Sequence, residues 1–478
     1  MQHGRISICA GPAVLSLILG LWGITREHSM WRDEAATWQA AHRSLAEIGH
    51  MVGQVDVVHG LYYVVMHGAF ALFGDSLVTL RLPSVLATAG ACALTALIGA
   101  RLSGRWVGIG AGLALAVVPA VQEYSQEGRS YALVLAFVAL ATWLLVCALE
   151  RPGAWRWAGY AGAVLIAALL NWFSLLALVA HAVTVVCTRP GRARCTGWAL
   201  AAVAAVAGAL PLVLASRAQA DQVSWIKPLG WSTVLGVVIT VTIGALCARM
   251  PYARLTARRR DDAPRAHVSL AAVALPLCAV PQIGLAAVSL AKPLYITRYV
   301  LFAYIGLALL VGVLLATIAR RIKAHPRVLL PTALALALLA LLPTELGLRR
   351  VDSRVDDVLA AAAIVGHTRH TADGVLYIPA ARRDTALVSP HEFAGLRDLA
   401  LAQSPVESGT LKGIEAGPHD IEQAVLSAQR IILVTDPGPR HAHSAPDHAK
   451  QRALDKRFVR RSVSVERGRQ VSVYERMK

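Results

Sequence analysis

The chain has 478 residues, 56% of them hydrophobic and only 16% charged. That much apolar sequence excludes an ordinary soluble protein of this size and points to a polytopic membrane protein. The formal net charge of +18 would suggest nucleic acid in a soluble chain, but here the arginines cluster in short loops between apolar runs, a positive-inside pattern that speaks against nucleic-acid binding.

In chain order, the first apolar run covers residues 8–24. It has the length of a signal peptide, yet no small-x-small cleavage site follows and the acidic pair Asp33-Glu34 comes too soon, so it reads as a retained span. Further spans are expected near residues 82–100, 107–121, 131–149, 157–170, 172–187, 198–216, 231–247, 268–290, 299–318 and 328–346, about eleven with the first. Five basic loops test that count: Arg101/Arg105, Arg151/Arg156, Arg189/Arg192/Arg194, the run from Arg249 to Arg265, and Arg320/Arg321/Lys323/Arg327. Each follows an even number of crossings, which puts all five on one face, the cytoplasmic one, together with the N-terminus.

The count holds only if residues 57–73, with His59, Tyr62, Tyr63 and His67, do not cross. They read as a helix lying in the outer interface, within an outer loop spanning residues 25–81. The odd number of spans places the C-terminus outside. The spans themselves carry almost no ionisable residue at mid-depth.

After Arg349 the pattern changes. Residues 355–367 have amphipathic helical spacing, an Asp373-Gly374 turn leads into an apolar strand at 375–378, and 430–435 reads as a second strand. The tail alternates as a hairpin, 462–465 and 470–474, around 466–469. The fold class expected is therefore mainly α: a transmembrane helical bundle over residues 1–348, with a small extracytoplasmic α/β domain over 349–478. Residues 437–450 form the one low-complexity stretch. The seven cysteines lie in or beside apolar runs, and without a C-x-x-C they read as small core residues.

The polar residues between spans collect on the outer side. Asp33 and Glu34 follow the first span, and a carboxylate beside a low-dielectric cavity can accept a proton from a hydroxyl; the alternative is a solvated pair bound to Arg26 or Arg32. In Glu123-Tyr124-Ser125-Gln126-Glu127-Gly128-Arg129-Ser130-Tyr131, Arg129 has the planar fork that suits a lipid phosphate, or else it snorkels or pairs with Glu127. Lys292-Pro293-Leu294-Tyr295-Ile296-Thr297-Arg298-Tyr299 adds two cations and two phenols, either a second phosphate contact or an ordinary belt. Trp225 and Trp231 can stack on a sugar ring or sit in the same belt.

His59 and His67, eight apart, lack metal-ligand spacing, and the cluster His441/His443/His448 reads as a solvated loop. No Walker A, G-x-S-x-G or H-E-x-x-H sequence is present. A divalent metal stays open but has no support in the sequence, and no cofactor is fixed by it.

These elements, in order, resemble the GT-C superfamily of integral-membrane glycosyltransferases. The likeness is greatest to the family 39-like branch, which includes protein O-mannosyltransferases and the aminoarabinose transferase of lipid A. The residues that carry it are Trp31-Arg32-Asp33-Glu34, His59-Gly60-Leu61-Tyr62-Tyr63, Arg81-Leu82-Pro83-Ser84, Gln126-Glu127-Gly128-Arg129-Ser130-Tyr131 and Arg298-Tyr299. The domain after Arg349 resembles extracytoplasmic domains of actinobacterial members.

The resemblance implies Asp33 as catalytic base with Glu34 in support, and Arg129 and Arg298 near the donor phosphate; Lys292, from the reading of its own segment, would join them there. His59, Tyr62, Tyr63, Glu127, Tyr131, Trp225, Tyr295 and Tyr299 would line the substrate site. It further implies a polyprenyl-phosphate sugar donor, with mannose the first candidate, and inverting transfer to an extracytoplasmic protein, glycolipid or polysaccharide. Two positions depart from the pattern: Gly60-Leu61 follows His59 where many relatives have prolines, and Asn171-Trp172 stands where many have His or Tyr. The alternatives are a transporter or lipid flippase, which would show mid-span charges and inverted repeats, and a polytopic scaffold for which Asp33 is dispensable.

Overall fold

The computed structural model describes residues 2–219, 225–254, 268–439, 442 and 444–477. Part of the basic run up to Arg265, the segment 222–224 before Trp225, and His441 and His443 lie outside the described residues. In chain order the helices are α1 Gln2–Leu21, α2 Arg32–Ala41, α3 Leu45–Gln54, α4 Gly60–Phe73, α5 Leu77–Ser103, α6 Arg105–Ala116, α7 Pro119–Ser125, α8 Tyr131–Glu150, α9 Ala154–Leu170, α10 Leu175–Thr188, α11 Arg192–Ala218, α12 Trp231–Ala248, α13 Pro251–Arg254, α14 Leu270–Ala291, α15 Ala303–Arg321, α16 Pro326–Arg349, α17 Val358–Thr368, α18 Asp384–Val388, α19 Pro418–Ser427 and α20 Ala445–Arg457.

The chain forms two compact units that do not follow chain order. The first comprises residues 1–22 and 81–346, and the second residues 23–80 and 347–478. The segment after the first span thus groups with the C-terminal region.

The first unit is helical. Among the described residues eight helices are long and apolar enough to cross a bilayer, nine when the bent pair α6 and α7 is counted as one span. The chain is a multi-pass membrane protein. Every run expected as a span falls on a helix, but 157–170 and 172–187 lie on shorter ones. The 107–121 run is broken, bending by 63°. Its cause is local: Val118 is extended (φ −67°, ψ 119°) ahead of Pro119, the first residue of α7, as the residue before a proline prefers.

Small residues let these helices close up. A Cβ on Gly108 of α6 would overlap the Ala96 carbonyl of α5, and one on Gly312 of α15 would overlap the Val107 carbonyl of α6. Bilayer helices, lacking a hydrophobic drive toward one another, pack through such close approach.

His181 departs from the expectation that the spans are almost free of ionisable groups. It is buried in α10, with Nε2 3.0 Å from the Thr142 hydroxyl of α8 and Nδ1 3.1 Å from the Tyr160 hydroxyl of α9. The Trp198 indole of α11 donates to that same phenol at 3.1 Å. Four helices therefore satisfy one another's buried polar groups, the only tolerable state for such groups in an apolar interior.

The second unit holds α2–α4 and an α/β domain. Its strands are β1 Gly374–Ile378, β2 Arg397–Asp398, β3 Leu401–Gln403, β4 Ile414–Glu415, β5 Arg430–Thr435, β6 Phe458–Glu466 and β7 Arg469–Arg476. The main sheet has the order β2-β1-β5-β7-β6, parallel across β2, β1 and β5, with β7 antiparallel to both β5 and β6. β1 and β5 match the expected strands.

The expected hairpin is present and longer, closed by Arg467 (φ 42°) and Gly468 (φ 79°), the left-handed pair that a tight two-residue hairpin turn requires. Alternation along β5 feeds two cores. Ile431 and Leu433 pack with Ile421 and Val425 of α19 and Leu454 of α20, while Ile432 and Val434 pack with Ala361 and Val365 of α17. α17 starts later than the spacing suggested because Asp357 caps it, accepting from the Leu359 and Ala360 amides. Within the low-complexity stretch, residues 445–450 form the start of α20 behind the Ser444 cap.

Candidate functional site

The candidate residues divide between the two units.

In the second unit, Asp33 and Glu34 occupy the first turn of α2, where the positive end of the helix favours carboxylates. Their environments differ. Asp33 is half-buried. Glu34 is fully buried, and its Oε2 accepts from Nη2 of buried Arg26 at 2.6 Å, which realises the Arg26 pairing for Glu34. Arg32, the other suggested partner, engages Asp356.

The turn that delivers Arg26 is unusual. Arg26, Glu27 and His28 all have positive φ (46°, 52° and 67°), a conformation that costs non-glycine residues energy and concentrates at functional sites.

The helix α4 brings a second group. His59 is buried at its N-terminus, with Nε2 3.9 Å from Oδ1 of Asp56. The Tyr63 hydroxyl donates to the same carboxylate, and the His59 and Tyr63 rings lie 6.1 Å apart. Tyr62 is fully buried. Sequence reasoning missed Asp56, although the spacing 56, 59, 63 is that of one helical face. His67 is spent locally, with Nδ1 3.1 Å from the Ala41 carbonyl.

In the first unit, two of the motifs meet. Ser84, which closes Arg81-Leu82-Pro83-Ser84, donates its hydroxyl to the Glu127 carbonyl at 2.6 Å and to that of Arg129 at 3.3 Å. The Gln126 side-chain amide donates to the Gly20 carbonyl at 2.9 Å and to that of Trp22 at 2.7 Å. These are carbonyls left over at the end of α1. The 126–131 loop is therefore pinned from both sides, with Glu127, Arg129 and Tyr131 buried.

Arg298 lies over three rings: Tyr131 at 5.4 Å, Trp225 at 5.8 Å and Tyr299 at 5.9 Å. Rings at this range hold a guanidinium by cation–π attraction. The aromatic array continues beyond them: Tyr124 meets Tyr131 edge-on at 5.6 Å, Tyr299 stacks on Phe173 at 4.9 Å, and Phe173 stacks on Trp172 at 4.2 Å. Asn171 and Trp172, read as a departure, thus build one end of this array, with the Asn171 side chain accepting from the Phe173 amide at 3.1 Å.

Lys292 is exposed at the end of α14, and Trp225 is largely exposed. Tyr295, whose phenol burial pushes up to about 12, lines a cavity of about 270 Å³ with Ser232, Thr233, Thr240, Gln282 and Thr297. That wall offers neutral hydroxyl and amide groups and no charge.

A family model described as dolichyl-phosphate-mannose-protein mannosyltransferase matches residues 61–216, about a third of the chain. No curated protein matches the chain. Among solved structures, ArnT from Cupriavidus metallidurans in the apo state is similar with a TM-score of 0.67, covering 99% of this chain and 98% of its own at 12% identity. The same protein bound to undecaprenyl phosphate is similar with a TM-score of 0.57, covering 98% of each chain, again at 12% identity.

The chain has a GT-C fold. At 12% identity the fold is what is shared, and it bears out the resemblance read from the ordered motifs as well as the expected class of helical bundle with a small C-terminal α/β region. The GT-C fold also covers nearly the whole chain, so the domain after Arg349 is part of the likeness rather than an appendage to it.

Proposed function

We propose that this protein is a membrane glycosyltransferase that takes a sugar from a polyprenyl-phosphate donor and transfers it to an acceptor outside the cytoplasm. The observation that carries the reading is the near-complete match to the fold of ArnT, a protein whose structure is also known bound to undecaprenyl phosphate. The mannosyltransferase family model over residues 61–216 supports mannose as the sugar, and a cavity wall of neutral hydroxyls and amides suits a neutral hexose.

In this reaction the acceptor hydroxyl attacks the anomeric carbon as the bond from that carbon to the phosphate oxygen breaks. The configuration inverts, and the acceptor proton passes to the carboxylate of Asp33. The bonding pair leaves with the lipid phosphate, where Arg129 and Arg298 stabilise the developing negative charge. The aromatic array would hold the Arg298 fork in place for bidentate contact. Glu34, held by Arg26, supports α2 rather than exchanging protons. The basic loops support a cytoplasmic N-terminus and an α/β region outside.

The purified protein, given radiolabelled polyprenyl-phosphate mannose and an envelope fraction as acceptor, should release polyprenyl phosphate and label the acceptor in equal amounts. If neither this donor nor its glucose, galactose and arabinose counterparts were consumed, the proposal would fail.

A further inference from the structure

The helix that carries Asp33 has no cap of its own. Trp31 precedes it in an extended conformation (φ −101°, ψ 167°) and offers no side-chain hydrogen bond to the open amides. A helix start without a local cap must find acceptors elsewhere, and here they come from residues more than 300 positions away.

Oδ1 of Asp356 accepts from the Arg32 amide at 3.1 Å, and Oδ2 accepts from Arg32 Nε at 2.9 Å. Next to it, Oδ1 of Asp357 accepts from the Met30 amide at 3.3 Å, and the Met30 carbonyl accepts from the Val358 amide at 2.8 Å. The chain entering α2 is thus stitched to the chain entering α17.

Asp356 is itself fixed from behind. Arg469, the fully buried first residue of β7, approaches its Oδ2 to 2.8 Å and makes a two-pronged contact with Asp384, both bonds 2.8 Å. The line Arg32, Asp356, Arg469, Asp384 alternates in sign and sums to zero, with Arg32 at its partly exposed end. Arg467 likewise holds Asp357 at 2.9 Å. Both arginines sit in or beside the hairpin turn, which makes the sheet a rigid backing for the start of α2.

We infer that Asp356 and Arg469 are positioning residues for Asp33: the C-terminal domain caps the helix in trans and so fixes where the carboxylate stands. This rests on the reading of Asp33 as the base. The cap ties only the second unit together, so its loss is expected to act on turnover more than on donor binding. A catalytic group displaced by about 1 Å loses roughly 10²-fold in rate.

The test compares Asp356→Asn, which keeps an oxygen acceptor but removes the charge, with Asp356→Ala and Arg32→Met in the full-length protein. Two readouts are taken: amide hydrogen exchange over residues 30–36, and kcat and KM for the polyprenyl-phosphate sugar. The expected result is faster exchange in that segment with exchange in β5 unchanged, and kcat lowered roughly 10²-fold in Asp356→Ala and less in Asp356→Asn, with the donor KM within about two-fold.

Unchanged exchange at 30–36 in all three variants would overturn the cap. Faster exchange with unaltered kcat would overturn positioning. If Asp356→Ala does not fold, Asp356→Asn, which keeps the side chain's size but weakens the acceptor of the residue 32 amide, decides the matter, since Arg32→Met removes only the side-chain contact. An inactive wild type whose variants still exchange faster would sink the transferase reading, and positioning with it, while leaving the cap intact.

Discussion

Asp33 and Glu34 are neighbours in sequence, yet the fold separates their chemistry. Glu34 turns inward to Arg26, and the pair is sealed from water; Asp33 stays half-exposed. Breaking a sealed ion pair by removing one of its charges costs about 3–5 kcal/mol. Glu34→Gln is therefore expected to lower the thermal midpoint in detergent well below that of the wild type, whereas Asp33→Asn should leave it nearly unchanged; equal midpoints for Glu34→Gln and wild type would contradict the structural role.

At this scale the sequence was legible where the motif contained its own partners. Arg26 lies eight residues from Glu34, and it was one of the two cations suggested for the acidic pair. The Asp56 carboxylate beneath His59 and Tyr63 was missed because aromatic and histidine residues drew the reading and a lone aspartate did not. Asp356 was beyond reach, since nothing in a sequence marks a carboxylate as the cap of a helix 324 residues earlier.

Helices and strands were read more fully than side-chain contacts. The expected spans all fall on helices because a bilayer demands long apolar runs, and β1, β5 and the terminal hairpin follow from alternation and turn residues. The break at Val118-Pro119 was overlooked because hydropathy does not register a bend. The network around His181 was overlooked because its partners come from three other helices.

Glycine positions carried a signal that hydropathy ignores. Gly312 faces the Val107 carbonyl with no room for a Cβ, so Gly312→Leu should push α15 off α6. The expected outcome is loss of the monodisperse peak in size-exclusion chromatography of detergent-solubilised protein, with Gly347→Ala, at a position with nothing within 4 Å, behaving as wild type. A monodisperse Gly312→Leu protein of normal thermal midpoint would show that the close approach is not needed.

Taken whole, the molecule interleaves its two units along the chain. The first outer segment grouped with the membrane portion in the sequence because the two are contiguous; in the structure it groups with residues 347–478. That interleaving gives the C-terminal domain a role the sequence could not supply, because the element carrying the proposed base belongs to it through Asp356, Asp357 and Met30. The phosphate-binding candidates Arg129 and Arg298 belong to the other unit, held by Ser84, Gln126 and the aromatic array.

The most direct test of the account is therefore sugar transfer by Asp33→Asn, measured alongside binding of the polyprenyl-phosphate donor to the same purified protein. Donor affinity is expected to stay close to that of the wild type and transfer to fall by at least about 10²-fold, as for loss of a general base. Transfer by Asp33→Asn at the wild-type rate would contradict it.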